Sequence, residues 1–361
     1  CDVYRPTATH LQPVVVPPAL AIAEREDASG RDLLVALAAG FETATRIGAG
    51  LDYQAFRQRG WHGPGVIGPF GAAAAVGRIL GFDADKMAMA YGLAGSQAAG
   101  TFAAWGTSSV KFHQFRGALS GLMAALLAGQ GFVATREFLT APDGGFYPTY
   151  CGGGPSDAAT ADLGVRWELE QIALRPWPTS AVSQGVINAL FDLMQQHDLQ
   201  ADRVSRLRIH LSQASFDAYA HRRTISGKWE ASGSVYYTAA VVLHDRELWM
   251  DQFEPARHND PGLRRFAMER VELLSDPALT GVQAIVEAET KAGMTLTARC
   301  DSPKGTPENP LTQAEIEAKF RKGAKGRLAP AAVESVLVTI ARLEDLKSVR
   351  SLMEMLGAGP R

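Results

Sequence analysis

The sequence predicts a mainly α protein with an α+β second domain, arranged as a large all-helical domain interrupted by an α+β lid. Three observations carry this. The first half is rich in Ala, Gly and Leu set at helical spacing. After Arg175-Pro176-Trp177-Pro178-Thr179, where two prolines forbid a regular helix, apolar and polar residues begin to alternate, as in Val204–Leu211. The C-terminal stretch then turns helical again. The expected domains are residues 1–171 plus 306–361 for the discontinuous helical part, and 172–305 for the α+β part.

The elements follow in order. Asp32–Ile47 carries Leu33, Leu34, Leu37, Phe41 and Ala44 on one helical face. Pro69 stands in the first turn of a small-residue helix running through Leu80, where proline is tolerated. Asp83 can cap the next helix, which holds Met87, Ala90, Tyr91, Leu93 and Ala94. Gly117–Gln130 is a further helix of Ala, Leu and Gly, and Cys151–Pro155 is a Gly-rich loop. In the second domain Val204–Leu211, Val271–Leu274, Gly281–Glu287 and Met294–Cys300 read as strands, with helices around Ser183–Gln196 and Tyr236–His244. Thr312 with Glu315 three residues on forms a capping box for Thr312–Lys322, and Ala331–Arg342 and Leu343–Leu356 complete the helical tail.

Composition narrows the function. The chain has 361 residues, 46% hydrophobic and 20% charged, with a net charge of −2. That is an ordinary globular balance with no basic patch for nucleic acid. No apolar run is long enough to span a bilayer, and the opening residues do not read as a signal peptide. Cys1, Cys151 and Cys300 are odd in number and widely spaced, which argues against a disulfide framework or zinc cluster and favours the cytoplasm. The start at Cys1-Asp2-Val3-Tyr4, without Met, leads us to expect that helices upstream are missing. No phosphate loop, dinucleotide fingerprint, metal motif or nucleophile elbow is present, so no cofactor and no metal are expected. What remains is acid–base chemistry by His and Lys.

Four places hold such groups. Trp61-His62-Gly63-Pro64-Gly65 lies shortly before the helix opened by Pro69, whose unpaired N–H groups and positive dipole end favour an anion. His62 there could exchange a proton beside a bound carboxylate, although on spacing alone a histidine that caps the helix or packs under Trp61 is the commoner case. Lys111 and His113 would share one side of an extended Lys-Phe-His, ahead of the helix at Gly117. Such a pair can hold an anion and lower one pKa, but a solvated surface pair is the commoner case. His10 stands alone before the apolar run Val14–Val16, and His221-Arg222-Arg223 with Lys228 could clamp carboxylates. Both are more often structural or merely solvated.

In order, these segments resemble the MmgE/PrpD family of 2-methylcitrate dehydratases, cis-aconitate decarboxylases and iminodisuccinate epimerases. The resemblance rests on Ala8-Thr9-His10 through Pro18–Glu24, on Trp61-His62-Gly63-Pro64-Gly65-Val66-Ile67-Gly68-Pro69-Phe70-Gly71 followed by Ala72–Ala75, and on Ser96-Gln97-Ala98-Ala99-Gly100. Lys111-Phe112-His113, Arg175-Pro176-Trp177-Pro178 and the ending Leu343-Glu344-Asp345-Leu346 extend it over essentially the whole chain. It implies a helical domain interrupted by an α+β lid with the site in the cleft between them, a homodimer, no metal requirement and a di- or tricarboxylate substrate. It also implies His62 and His10 as the acid/base pair and Lys111 as carboxylate clamp. Asp2, Tyr4, Gln97, His113, Arg175 and Ser180 become substrate-binding candidates.

Three departures bear on the reaction. Arg175 stands where the family pattern usually has lysine, and it cannot donate a proton at neutral pH. A small polar residue in Thr179-Ser180 replaces a histidine, and Val3, Tyr4 and Arg5 replace part of an acidic motif. Tyr4 could itself act as an acid or hydrogen-bond donor. The leading expectation is dehydration of a citrate-like, 2-methylcitrate-like hydroxy acid. The alternatives are epimerisation or decarboxylation of a related polycarboxylate, or a catalytically silent carboxylate-binding protein.

Overall fold

A computed structural model describes residues 2–357. It is 58% helical with a small mixed sheet, the mainly α fold with an α+β part that the sequence predicts. The chain divides into two compact units, one made of residues 1–105, 109–173 and 312–361, the other of 106–108 and 174–311.

The first unit opens with β1 (Asp2–Tyr4) and α1 (Gln12–Arg25), followed by α2 (Gly30–Ala49), α3 (Tyr53–Gln58), α4 (Gly63–Val66) and α5 (Gly68–Ile79). Then come α6 (Ala84–Gly95), α7 (Ser109–Gly129) and α8 (Phe146–Cys151), and β2 (Ile172–Leu174), which pairs with β1. Asp83 caps α6 as expected, its side chain accepting from the Lys86 N–H, and Ser29 and Asp52 cap α2 and α3 in the same way. Every residue of α5 from Gly68 to Gly77 is buried, and the reason lies in its small side chains. A Cβ on Gly71 would lie 2.7 Å from the Gly40 carbonyl oxygen of α2, and one on Gly40 equally close to the Gly71 oxygen. On the α7 side, a Cβ on Gly121 would sit 2.3 Å from the Pro69 oxygen. The Ala/Gly content therefore lets α2 and α7 approach α5 backbone to backbone.

A buried ion pair ties this unit to its later loops. Glu42 and Arg46, one turn apart on α2, meet at 2.5 Å. Glu42 also accepts the N–H groups of Glu168 and Leu169, while Arg46 donates to the carbonyls of Ala161 and Arg166. Each charge is thus both paired and hydrogen-bonded, which a buried ion pair requires.

The second unit holds β3 (Val204–Leu211), β4 (Val271–Ser275), β5 (Ala284–Thr290) and β6 (Thr295–Cys300) in the order β4-β3-β5-β6. β3 pairs parallel to β4 and antiparallel to β5, and β5 antiparallel to β6. The residues of β5 alternate between buried and half-buried, as one covered face demands. That face packs on α9 (Ala181–His197) and α12 (Val235–Asp245), with Ile187, Leu190, Leu193, Ile209, Val241 and Val286 in the core. The short helices α10 (Gln213–Tyr219) and α11 (Lys228–Gly233) precede α12, and α13 (Pro255–His258) and α14 (Pro261–Glu269) follow it. On the other face Arg208 pairs with Glu289 of β5 at 2.6 Å. The expected strand Gly281–Glu287 lies later in the chain, because Gly281 takes a positive φ of 54° in the turn before it.

The chain then returns to the first unit with α15 (Gln313–Ala324), α16 (Pro330–Ile340) and α17 (Val349–Gly357). The Thr312–Glu315 capping box is formed in both directions. The tail expected as continuous from Leu343 is broken: Leu343–Asp345 is a 3-10 turn, and α17 starts only at Val349. Val336, Leu343, Val349 and Leu352 are buried in the first unit's core with Leu33 and Phe70.

Candidate active site

The site is built on the glycine-rich turn around His62. Gly60 takes a φ of 83°, where a side chain would be strained, and His62 is extended at φ −119° and ψ 117° before α4. No side-chain bond from His62 caps that helix. Trp61 packs edge-on against Tyr150, at 4.9 Å between ring centroids. The imidazole is therefore not used at the helix end, contrary to the commoner reading of its spacing.

Instead His62 is 7% exposed, with its Nδ1 2.9 Å from His113 Nδ1. The His62 N–H donates to the Gly100 carbonyl at 3.0 Å, and Gly100, at φ 144°, brings the chain against the His113 ring. Phe102 stands edge-on to His62 at 5.7 Å, and the Arg57 guanidinium stacks on the other partner of that contact, 3.5 Å from the Phe102 centroid. Arg57 also donates to the Trp61 carbonyl at 2.8 Å. Burial, followed by the charge that His113 carries when protonated and by those of Arg57 and Lys111, pushes the His62 pKa down to about 3. Burial lowers that of His113 too. Both rings are neutral at pH 7.

The expected common face of Lys111 and His113 is overturned. The helix expected from Gly117 starts at Ser109, so the two residues lie on a helix. Two helical steps turn a side chain about 200°. His113 thus faces His62, whereas Lys111 is exposed and acts on His62 through its charge.

His10 is held by the start of the chain. Its Nδ1 lies 2.7 Å from the Asp2 carbonyl oxygen. A carbonyl can only accept, so Nδ1 carries a proton. The Asp2 carboxylate accepts the N–H groups of Leu11 and Gln12 at 2.8 and 2.9 Å, closing the start of α1, and is buried. A Cβ on Gly63 would lie 2.2 Å from Thr9 Oγ1, so the residues next to His10 and His62 touch.

Other expected positions have structural partners. Tyr4, expected as a possible acid, is buried and donates to Glu168 Oε2 at 2.8 Å, and burial and that carboxylate raise its pKa above the usual phenol range. Gln97 gives its amide N–H groups to the Leu93 and Ser120 carbonyls. In the second unit Ser180 caps α9, accepting the Ser183 N–H, and Arg175 Nη1 closes its turn on the Thr179 carbonyl at 2.7 Å. In the basic group, Arg222 and Arg223 lie over Tyr219 and Tyr236, and Lys228 pairs with Glu254. Among the described residues, no three His, Cys, Asp or Glu side chains gather as metal ligands, and no helix is long and apolar enough to cross a membrane.

Sequence reasoning missed Arg57, Phe102 and the contact of Thr9 with Gly63. Arg57 had a faint signal, a cation five residues ahead of His62, whereas Phe102 lies forty residues further along and had none. The Thr9 contact had none, because it joins residues far apart in the chain.

The models of the MmgE/PrpD N-terminal domain and C-terminal domain match residues 1–158 and 177–345. A cis-aconitate decarboxylase-like protein of Aspergillus oryzae is 28% identical, covering 98% of this chain and 78% of its own. The cis-aconitate decarboxylases of Mus musculus and Homo sapiens are 27% and 28% identical, each over 98% of this chain and over 75% and 76% of their own. With both domain models matched in order across most of its length, the chain belongs to the MmgE/PrpD family.

Proposed function

We propose that this chain is a lyase that decarboxylates a small tricarboxylate of the cis-aconitate type, moving a proton beside a carboxylate. The observation that carries the reading is His62, a buried imidazole kept neutral within a hydrogen-bonded pair and flanked by the cations of Arg57 and Lys111. A neutral imidazole accepts protons. It gives a proton away only when it is protonated or takes another in the same step, and a bound polycarboxylate favours both by offsetting the nearby positive charge.

In cis-aconitate a carboxylate sits on carbon next to a C=C bond. Its C–C bond breaks to release carbon dioxide, and the electron pair forms a new C=C bond. The old π pair takes a proton at the carbon bearing another carboxylate. His62 or His10 supplies that proton, while Lys111 and Arg57 oppose the charge that builds on the dienolate. The names of the relatives favour this reading over dehydration.

Proton NMR in D₂O on the whole chain with cis-aconitate, citrate, 2-methylcitrate and iminodisuccinate tests the proposal. Expected are loss of cis-aconitate and one deuteron on the new methylene of the product. Replacing His62 by Ala should lower turnover by about 10²- to 10⁴-fold. Water loss from 2-methylcitrate, or exchange at the iminodisuccinate stereocentre without bond cleavage, would replace this reading.

A further inference from the structure

We propose that His113 is a positioning residue which pairs with His62 as a one-proton relay, carrying protons between solvent and the buried ring. The proposal deepens the acid–base reading above and rests on it for its catalytic consequence, although not for its geometry.

The argument begins with the atoms. The two rings meet Nδ1 to Nδ1 at 2.9 Å. A hydrogen bond there needs one donor and one acceptor, so the neutral rings hold opposite tautomers. One has Nδ1–H and a lone pair on Nε2. The other has its lone pair on Nδ1 and the proton on Nε2. The pair thus places its free donor and its free acceptor on the outer nitrogens of two different rings, further apart than the two nitrogens of one imidazole.

The burial of the rings sets a direction. His62 is 7% exposed, whereas His113 is half-buried on the first turns of α7. When His113 Nε2 takes a proton from water, its Nδ1 proton crosses to His62 Nδ1. The Nε2 proton of His62 then leaves for the substrate carbon. One proton enters, one leaves, and both rings exchange tautomers. The reverse passage, a proton taken at His62 Nε2 and released from His113 Nε2, restores the starting state once solvent reaches the emptied site. The charges of Arg57 on α3 and Lys111 on α7 act on His62 and oppose an additional proton on the neutral pair.

The geometry that holds the rings is specific to them. Gly100 lies against the His113 ring, where its own Cβ would be 3.1 Å from Nδ1. The Gly100 carbonyl also accepts the His62 N–H at 3.0 Å. One residue therefore fixes both partners.

Nitrogen-15 NMR of the histidine-labelled full chain, without substrate, reads the pair directly. At pH 7 the signals lost in His62→Asn and His113→Asn should be of opposite tautomer, one of them a Nδ1–H. Finding both rings as Nε2–H tautomers, or either one charged, overturns the proposal. This outcome does not depend on the substrate, so it stays separate from failure of the decarboxylase reading. With a turned-over substrate in hand, His113→Asn should lower kcat about 10- to 100-fold with KM nearly unchanged, and added imidazole should restore part of it. A kcat equal to that of the unsubstituted protein overturns the relay. His113→Gln serves the same test where the Asn variant does not fold.

Discussion

At the scale of single residues, the chemistry depends on how environment divides similar groups. Eight histidines occur in the chain, and His244, for one, sets its Nδ1 2.8 Å from the Ala240 carbonyl oxygen one turn back on α12. His62 differs because it is buried near the charges of Arg57 and Lys111 and, among the described residues, without a carboxylate partner. Its folded pKa, about 3, lies below its ordinary value of 6.5. Between these values the unfolded chain binds a proton that the folded chain refuses, so stability rises with pH through this window and falls on acidification. Replacing His62 with Asn should remove an acid sensitivity on the order of a few kcal/mol, seen as a flatter dependence of urea midpoints between about pH 4 and 6.5. An unchanged slope would mean that His62 is not held neutral. The same scale explains Tyr4 and Ser180. Both had the right functional group for a site, yet one is bound to Glu168 and the other caps α9. Their sequence neighbourhood showed the group and not its partner.

At the scale of elements, local chemistry was legible where it was local. Asp83 and the Thr312–Glu315 pair cap the helices they were expected to cap, since both signals lie within one turn of chain. Val204–Leu211 forms a strand with the expected bounds, because alternation over eight residues records one covered face. The start of α7 was not legible. Nothing between Ser109 and Gly117 breaks a helix, and the functional reading of Lys111 and His113 favoured an extended segment. The small residues of α5 showed that helices come close without showing where. Gly71 marks one such place, since a Cβ there would lie 2.7 Å from the Gly40 oxygen and 2.9 Å from Ala44 Cβ. Gly71→Ala should destabilise the chain by about 1–3 kcal/mol despite the better helix propensity of alanine, measurable by urea unfolding. A stabilising effect would show that α2 and α5 can part without cost.

At the scale of the whole molecule, each unit carries its own core. The core of the second unit is drawn entirely from residues between Val182 and Cys300. The main core of the first unit draws on residues from Tyr4 to Cys151 and again from Val336 to Leu352. The Leu174 N–H bonds to the Gly305 carbonyl at 2.7 Å, so the ends of the second unit's segment are close together. Residues 174–311 produced alone should therefore unfold in one cooperative transition. A broad, non-cooperative melt would show that this core needs the rest of the chain.

Sequence alone specified the classes of element, their caps, the change of texture after Arg175 and the family pattern that runs through both units. These are recorded in residue type and short spacing. The partners of each functional group came only with the tertiary structure. His62 and His113 are separated by 51 positions and Tyr4 and Glu168 by 164, and no period in the sequence encodes such a pairing. For the two histidines it arises where a glycine backbone lets a distant side chain come close, as Gly100 does for the His113 ring and Gly63 for Thr9. That packing makes His62 a buried neutral imidazole with a ring beside it to pass a proton.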